Sequence, residues 1–143
     1  MAKLNLETAR KIIAATLATG HEKGMKPLSV VVLDAGGYPI AFEREDGASN
    51  LRFKIAHGKA FGALSVGSGS RAIFNRAQEQ PYFVQALNGL ADGAVVPVPG
   101  GVLVRDGAGG AILGAVGVTG DSSDNDEIAA LAGIEAAGLA GEG

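Results

Sequence analysis

Residues 28–46 read LSVVVLDAGGYPIAFERED. Residues 28–33 are a β-branched, continuously apolar run, and residues 38–44 are a second extended segment. Between them lie Asp34, Ala35, Gly36 and Gly37, the residue types that turns require. The stretch predicts a β-hairpin. Its first strand shows no polar alternation, which predicts cover on both faces.

The flanking segments predict what supplies that cover. Asn5 can cap a first helix in which Leu6, Ala9, Ile13, Thr16 and Leu17 recur at helical spacing, with Gly20 or Gly24 as its stop. Ser49 opens a second helix over about 51–66, with Phe53, Ala56, Ala60, Ala63 and Leu64 on its apolar side. GSGS breaks it, a short helix follows over 71–80, and Pro81 ends that helix or starts a turn. Strands are predicted over 94–98, 102–105 and 112–118, and a last helix over about 124–138. The order α-β-β-α-(α)-β-β-β-α brings strands in adjacent runs. It predicts an α+β fold, an antiparallel sheet with helices packed on it, and one domain over 1–143.

Composition excludes several function classes. The 143 residues are 47% hydrophobic and 19% charged, with a formal net charge of −3 and no cysteine. Such a chain is globular. It has no basic patch to neutralise phosphates, so no nucleic-acid partner is expected. It also lacks thiolate chemistry, disulfides and iron–sulfur clusters. No apolar run reaches the roughly 18 residues of a membrane span. The N-terminus has no signal-peptide pattern, which predicts a cytoplasmic protein. The 23 glycines are the anomaly. They sit inside apolar runs, where bare backbone permits tight turns or a close approach.

Few residues are candidates for chemistry. DSSDNDE, residues 121–127, invites a calcium reading, but an EF-hand loop counted from Asp121 needs Gly and Glu where Asp126 and Ala132 stand. Asp124 is instead predicted as the cap of the last helix, with Glu127 three residues on and the other acids at the positive helix end. Glu127, at the mouth of a glycine-lined pocket, is also a candidate to act on a ligand. Gly100 and Gly101, after Pro97 and Pro99, read as a turn or as a backbone nest for a carboxylate or oxyanion. GAVGVTG lies within and just after a strand, so it is no dinucleotide fingerprint. The two histidines cannot make a three-His metal site, and no metal is expected. His21, at the end of the first helix, suits the negative helix end or an axial position on haem. His57 is a helix histidine two residues before Lys59. Lys59, among Ala and Gly, is a snorkelling surface group or a buried cation that pairs a carboxylate or attracts an anionic ligand.

Four stretches carry a resemblance: VVVLDAGGYPIAFEREDGA, IAHGKAFGA, PVPGGVLVRDGAGGAILGAVGVTG and DNDEIAALAG. In that order they resemble the GlcG/HbpS-like family of haem-binding or haem-degrading domains, also found as the C-terminal part of PduO-type adenosyltransferases. Lys59, Pro99, Gly100, Gly101, Gly114, Gly117, Gly120, Asp126 and Glu127 match residue by residue. The resemblance implies a five-stranded antiparallel sheet flanked by helices, profilin- or PAS-like in outline. It also implies homo-oligomers from dimer to octamer, and haem or corrinoid as ligand. His21 lies where a first-helix histidine serves in some relatives.

Three functions remain open on the sequence. The first is small-ligand binding, with haem or another tetrapyrrole as ligand and His21 as its axial residue. Lys59, Pro99, Gly100, Gly101 and Glu127 would then form the binding set. The second is a cofactor-independent lyase, hydratase or isomerase for a small organic acid or ring compound. In it Glu127 or His57 moves a proton, Lys59 balances charge and the glycine turn holds an oxyanion. The third is a structural oligomer with a vestigial pocket.

Overall fold

The computed structural model describes residues 3–143. In chain order the elements are α1 (Leu6–Glu22), β1 (Ser29–Asp34), β2 (Pro39–Arg44), α2 (Arg52–Val66), α3 (Ser70–Glu79), α4 (Pro81–Leu90), β3 (Gly101–Arg105), β4 (Ile112–Thr119), α5 (Ser123–Ala136) and β5 (Ala140–Glu142). The strands form one antiparallel sheet in the order β2-β1-β4-β3-β5. The α+β fold and the opening hairpin are as the sequence predicts. Asn5 caps α1 by accepting from the Thr8 N–H at 2.9 Å.

Strand alternation sorts the core into two layers. Val30, Val32, Val102, Val104, Val116 and Val118 face α1 and α5, where Ile12, Ile13 and Ile134 complete the cluster. Val31, Leu33, Leu103 and Ala115 face α2, where Ala56, Ala60 and Ala63 meet them. All of these side chains are fully buried, and each large one contributes roughly 1.5–3 kcal/mol. A satellite cluster of Ile73, Val84 and Val95 holds α3 and α4 together.

The glycines set how close α2 lies. Phe42, Val31, Gly117 and Gly101 form one row across the sheet. The row shrinks towards β3, and α2 settles into the space. A Cβ on Gly117 would collide with the Ala56 carbonyl, and one on Gly101 with the Lys59 carbonyl. What approaches this bare backbone is a helix of the same chain.

Three expected elements are corrected. Residues 94–98 are no strand. Pro97 and Pro99 have no N–H for a ladder, the Val96 N–H donates to the Gly58 carbonyl of α2 at 3.1 Å, and Val95 is buried against α3 and α4. The fifth place in the sheet goes to β5, which pairs with β3. Pro81 starts a helix, α4, at a first-turn position where its missing N–H costs nothing. Ser122, not Asp124, caps α5, its hydroxyl accepting from the Asn125 N–H at 3.2 Å.

Candidate functional site

Lys59 leaves α2 towards the end of β4 and is enclosed. Its Nζ donates to Asp126 Oδ2 at 3.1 Å and to the Val118 carbonyl at 3.0 Å. Both charged side chains are 2% exposed. Asp126 Oδ1 accepts from the Asp121 N–H at 2.9 Å. Burial draws the Lys59 ammonium below its ordinary pKa and pushes the Asp126 carboxyl above its own, while each partner holds the other ionised in part. The pair ties α2, β4 and α5 to one point.

Pro99, Gly100 and Gly101 close over that point and are buried. A Cβ on Gly100 would stand 2.9 Å from Lys59 Nζ. The Gly101 N–H donates to Ser70 Oγ at 2.7 Å, and that hydroxyl donates to the Val98 carbonyl at 2.7 Å. The N–H expected to meet an anionic ligand is therefore taken by α3. Among the alternatives open for Lys59, the structure shows a carboxylate partner, Asp126. The sequence alone gives Asp126 only a place near a helix dipole, because a pairing 67 residues apart leaves no local pattern.

Glu127, the next residue, faces elsewhere. Arg71 Nε donates to its Oε1 and Oε2 at 3.2 and 3.1 Å, and Arg71 Nη2 donates to Asp124 Oδ1 at 2.6 Å. Glu127 therefore joins α5 to α3, and the two acidic partners raise the Arg71 pKa.

His57 lies half-buried on the outer side of α2. Its ring stacks on Phe61 at 5.5 Å between centroids and tilts against Phe53 at 6.0 Å. Desolvation by burial lowers its pKa. Glu127, Lys59 and His57 thus occupy three separate surroundings.

His21 is placed differently. It sits in the last turn of α1 on the wall of an open groove of about 500 Å³, with Met25, Pro27, Arg44, Glu45 and Asp46 around it. Its side chain is 75% exposed, and Nε2 stands 2.6 Å from Glu45 Oε2. The groove brings together an imidazole, a thioether and a guanidinium. The first two are the side chains that hold haem iron, and the third matches a carboxylate. His21 and Met25 could hold a tetrapyrrole's iron and Arg44 could meet a propionate, with the carboxylates of Glu45 and Asp46 beside them. Among the described residues no helix is long and apolar enough to cross a membrane.

A family model described as "Haem degrading protein HbpS-like" matches residues 4–135. A double mutant of Streptomyces reticuli HbpS is 29% identical, with a TM-score of 0.77 over 94% of this chain and 87% of that one. Klebsiella pneumoniae ORFY is 24% identical, with a TM-score of 0.85 over 96% and 93%. A PduOC–haem complex is 22% identical, with a TM-score of 0.84 over 96% and 97%. The last two establish the fold. No curated protein sequence matches the chain significantly.

Proposed function

The chain belongs to the HbpS-like family, and from that premise we propose that it binds haem in the groove at the end of α1, with His21 supplying the iron ligand. The observation that carries the proposal is the exposed His21 imidazole on the wall of a groove of about 500 Å³. The family description supports a haem-related role. The donor set adds its own support. Met25 offers a soft thioether beside the imidazole, and Arg44 offers a cation to a propionate.

The roles follow from where each group sits. His21 binds the metal, Arg44 orients the acidic edge, and Met25 and Pro27 give apolar contact to the macrocycle. Haem, when bound, supplies a redox-active iron centre. The groove is open on one side, so a single copy covers one part of the macrocycle. A homo-oligomer, from dimer to octamer, belongs to the same proposal as the means of covering the rest.

Absorbance titration with haemin tests the reading on wild type and His21→Ala. A saturable Soret band in wild type that is shifted or absent in the variant is the expected result. A wild-type spectrum no different from free haemin would overturn it.

A further inference from the structure

A second cavity lies on the outer side of α2 and shares no lining residue with the groove of His21. It measures about 390 Å³ and is lined by Phe53, Lys54 and His57 of α2 and by the turn Asp92–Gly93–Ala94. That volume lies within the range of small-molecule sites. One wall is aromatic. Phe42, Phe53, His57 and Phe61 follow one another with ring centroids 4.8, 6.0 and 5.5 Å apart. Another wall is backbone that rests on α2. A Cβ on Gly58 would collide with Val96 and crowd the Ala94 carbonyl, so the chain after α4 packs directly on the helix, one residue from His57. The turn is also tied at its base. The Gly93 N–H donates to the Asn88 carbonyl at 2.8 Å, and the Val95 N–H donates to Asn88 Oδ1 at 3.0 Å. Asp92 is therefore carried by a fixed turn.

Two charges line the cavity without neutralising each other. Lys54 and Asp92 are both exposed, and neither forms an ion pair among the described residues. We propose that this cavity binds a small aromatic zwitterion, of the class of the aromatic α-amino acids, with its carboxylate at Lys54, its ammonium at Asp92 and its ring against Phe53 and His57. A simple anion would meet the carboxylate of Asp92 as well as the ammonium of Lys54, and a simple cation would meet the reverse. A ligand that carries both charges finds a partner for each. An aromatic ring laid against Phe53 and His57 gains more than its buried area alone supplies. The site is additional to the haem groove and does not depend on it.

The chain contains no tryptophan, so L-tryptophan is a probe whose own fluorescence reports binding. Its anisotropy, excited where tyrosine does not absorb, measures affinity for the full chain in wild type, Lys54→Met and Asp92→Asn. Indolepropionate, which lacks the ammonium, and tryptamine, which lacks the carboxylate, separate the two charges. The expected result is saturable binding of L-tryptophan to wild type, roughly 5-fold weaker in either variant, because both charged contacts are partly solvated. Lys54→Met should weaken indolepropionate and leave tryptamine unchanged, and Asp92→Asn should do the converse. His57→Ala should weaken all three. Lys54 and Asp92 are surface residues, and asparagine tolerates the left-handed backbone at position 92, so both charge variants keep the fold and melt like wild type.

No saturable binding of L-tryptophan to wild type at millimolar concentration would overturn the proposal, as would an affinity that neither charge variant changes. A loss in only one of the two charge variants would overturn the zwitterionic class of the ligand.

Discussion

Lys59 with Asp126 and His21 with Glu45 are both pairs of a nitrogen base and a carboxylate, 3.1 Å and 2.6 Å apart. They differ in everything around them. The first is closed in by the Pro99–Gly100–Gly101 turn, the end of β4 and α5, and both side chains are 2% exposed. The second opens on a groove, with the histidine 75% exposed. A buried pair has its hydrogen bonds committed to the chain, and losing one partner leaves a charge stranded out of water. In the open pair the carboxylate is tied to Leu28 while the imidazole faces solvent. Residue type alone therefore does not separate an enclosed pair from an accessible one; the surroundings do.

The largest expected effect lies at the closed pair. Lys59→Ala or Asp126→Ala should lower unfolding free energy by about 3–5 kcal/mol in urea melts, since each strands a buried charge. The double variant Lys59→Met, Asp126→Leu should recover much of that loss. If both single variants unfold like wild type, the pair does not hold α2 to α5.

Next comes the contact that lets α2 approach. Gly117→Ala would push a methyl group into the Ala56 carbonyl, and overpacking of this kind costs roughly 1–3 kcal/mol. A thermal melt reads it directly. An unchanged melting temperature would mean that α2 has room to spare.

Asp121 gives a pH signature at the same end of the sheet. The Lys26 N–H, then Asn125 and Ser122, hold its pKa at about 2 against 3.8 in an unfolded chain. A lowered folded-state pKa means that its contribution is complete above pH 3.8 and is lost as pH falls from 3.8 towards 2. Asp121→Asn should therefore flatten the acid arm of stability against pH. Equal slopes in variant and wild type would count against the Lys26 and Asn125 bonds. Smaller still is the exposed bridge. Arg71→Ala should cost under about 1 kcal/mol, because the Arg71 and Asp124 ends of it are solvated. A double-mutant cycle with Glu127→Ala measures the coupling.

Much of this was legible in the chain. The run at 28–33 and the turn at 34–37 announce β1 and β2, α1 follows from its Asn5 cap and helical spacing, and α2 from spacing alone, since Ser49 makes no cap there. The failures have physical reasons. Residues 94–98 look extended but are pulled onto α2 and α3 by Val95 and Val96. In contrast, Ala140, Gly141 and Glu142 have no strand propensity and become β5 only because the edge of β3 is there to pair with. Ser122 and Asp124 are both good caps; Ser122 takes the role, and Asp124, in the first turn of the helix, meets Arg71 of α3.

The site was legible in the same uneven way. Lys59 among small residues leaves a surface group and a buried cation open; the fold settles on the buried cation, with Asp126 as partner. The glycine excess correctly suggests close approach, though α2 is what approaches. His21 is a candidate from the sequence, whereas its contact with Glu45 is not legible there. Glu45 lies 24 residues away and is held by a bond to Leu28 that exists only once the hairpin has formed.

The proposed haem site places the iron ligand at His21. Haemin titration of His21→Ala beside His57→Ala tests it most directly, because these are the two histidines of the sequence. The account predicts that the Soret band is lost or shifted in His21→Ala and keeps its wild-type position and affinity in His57→Ala. A band retained in His21→Ala and lost in His57→Ala would contradict it and move the ligand to the aromatic face of α2.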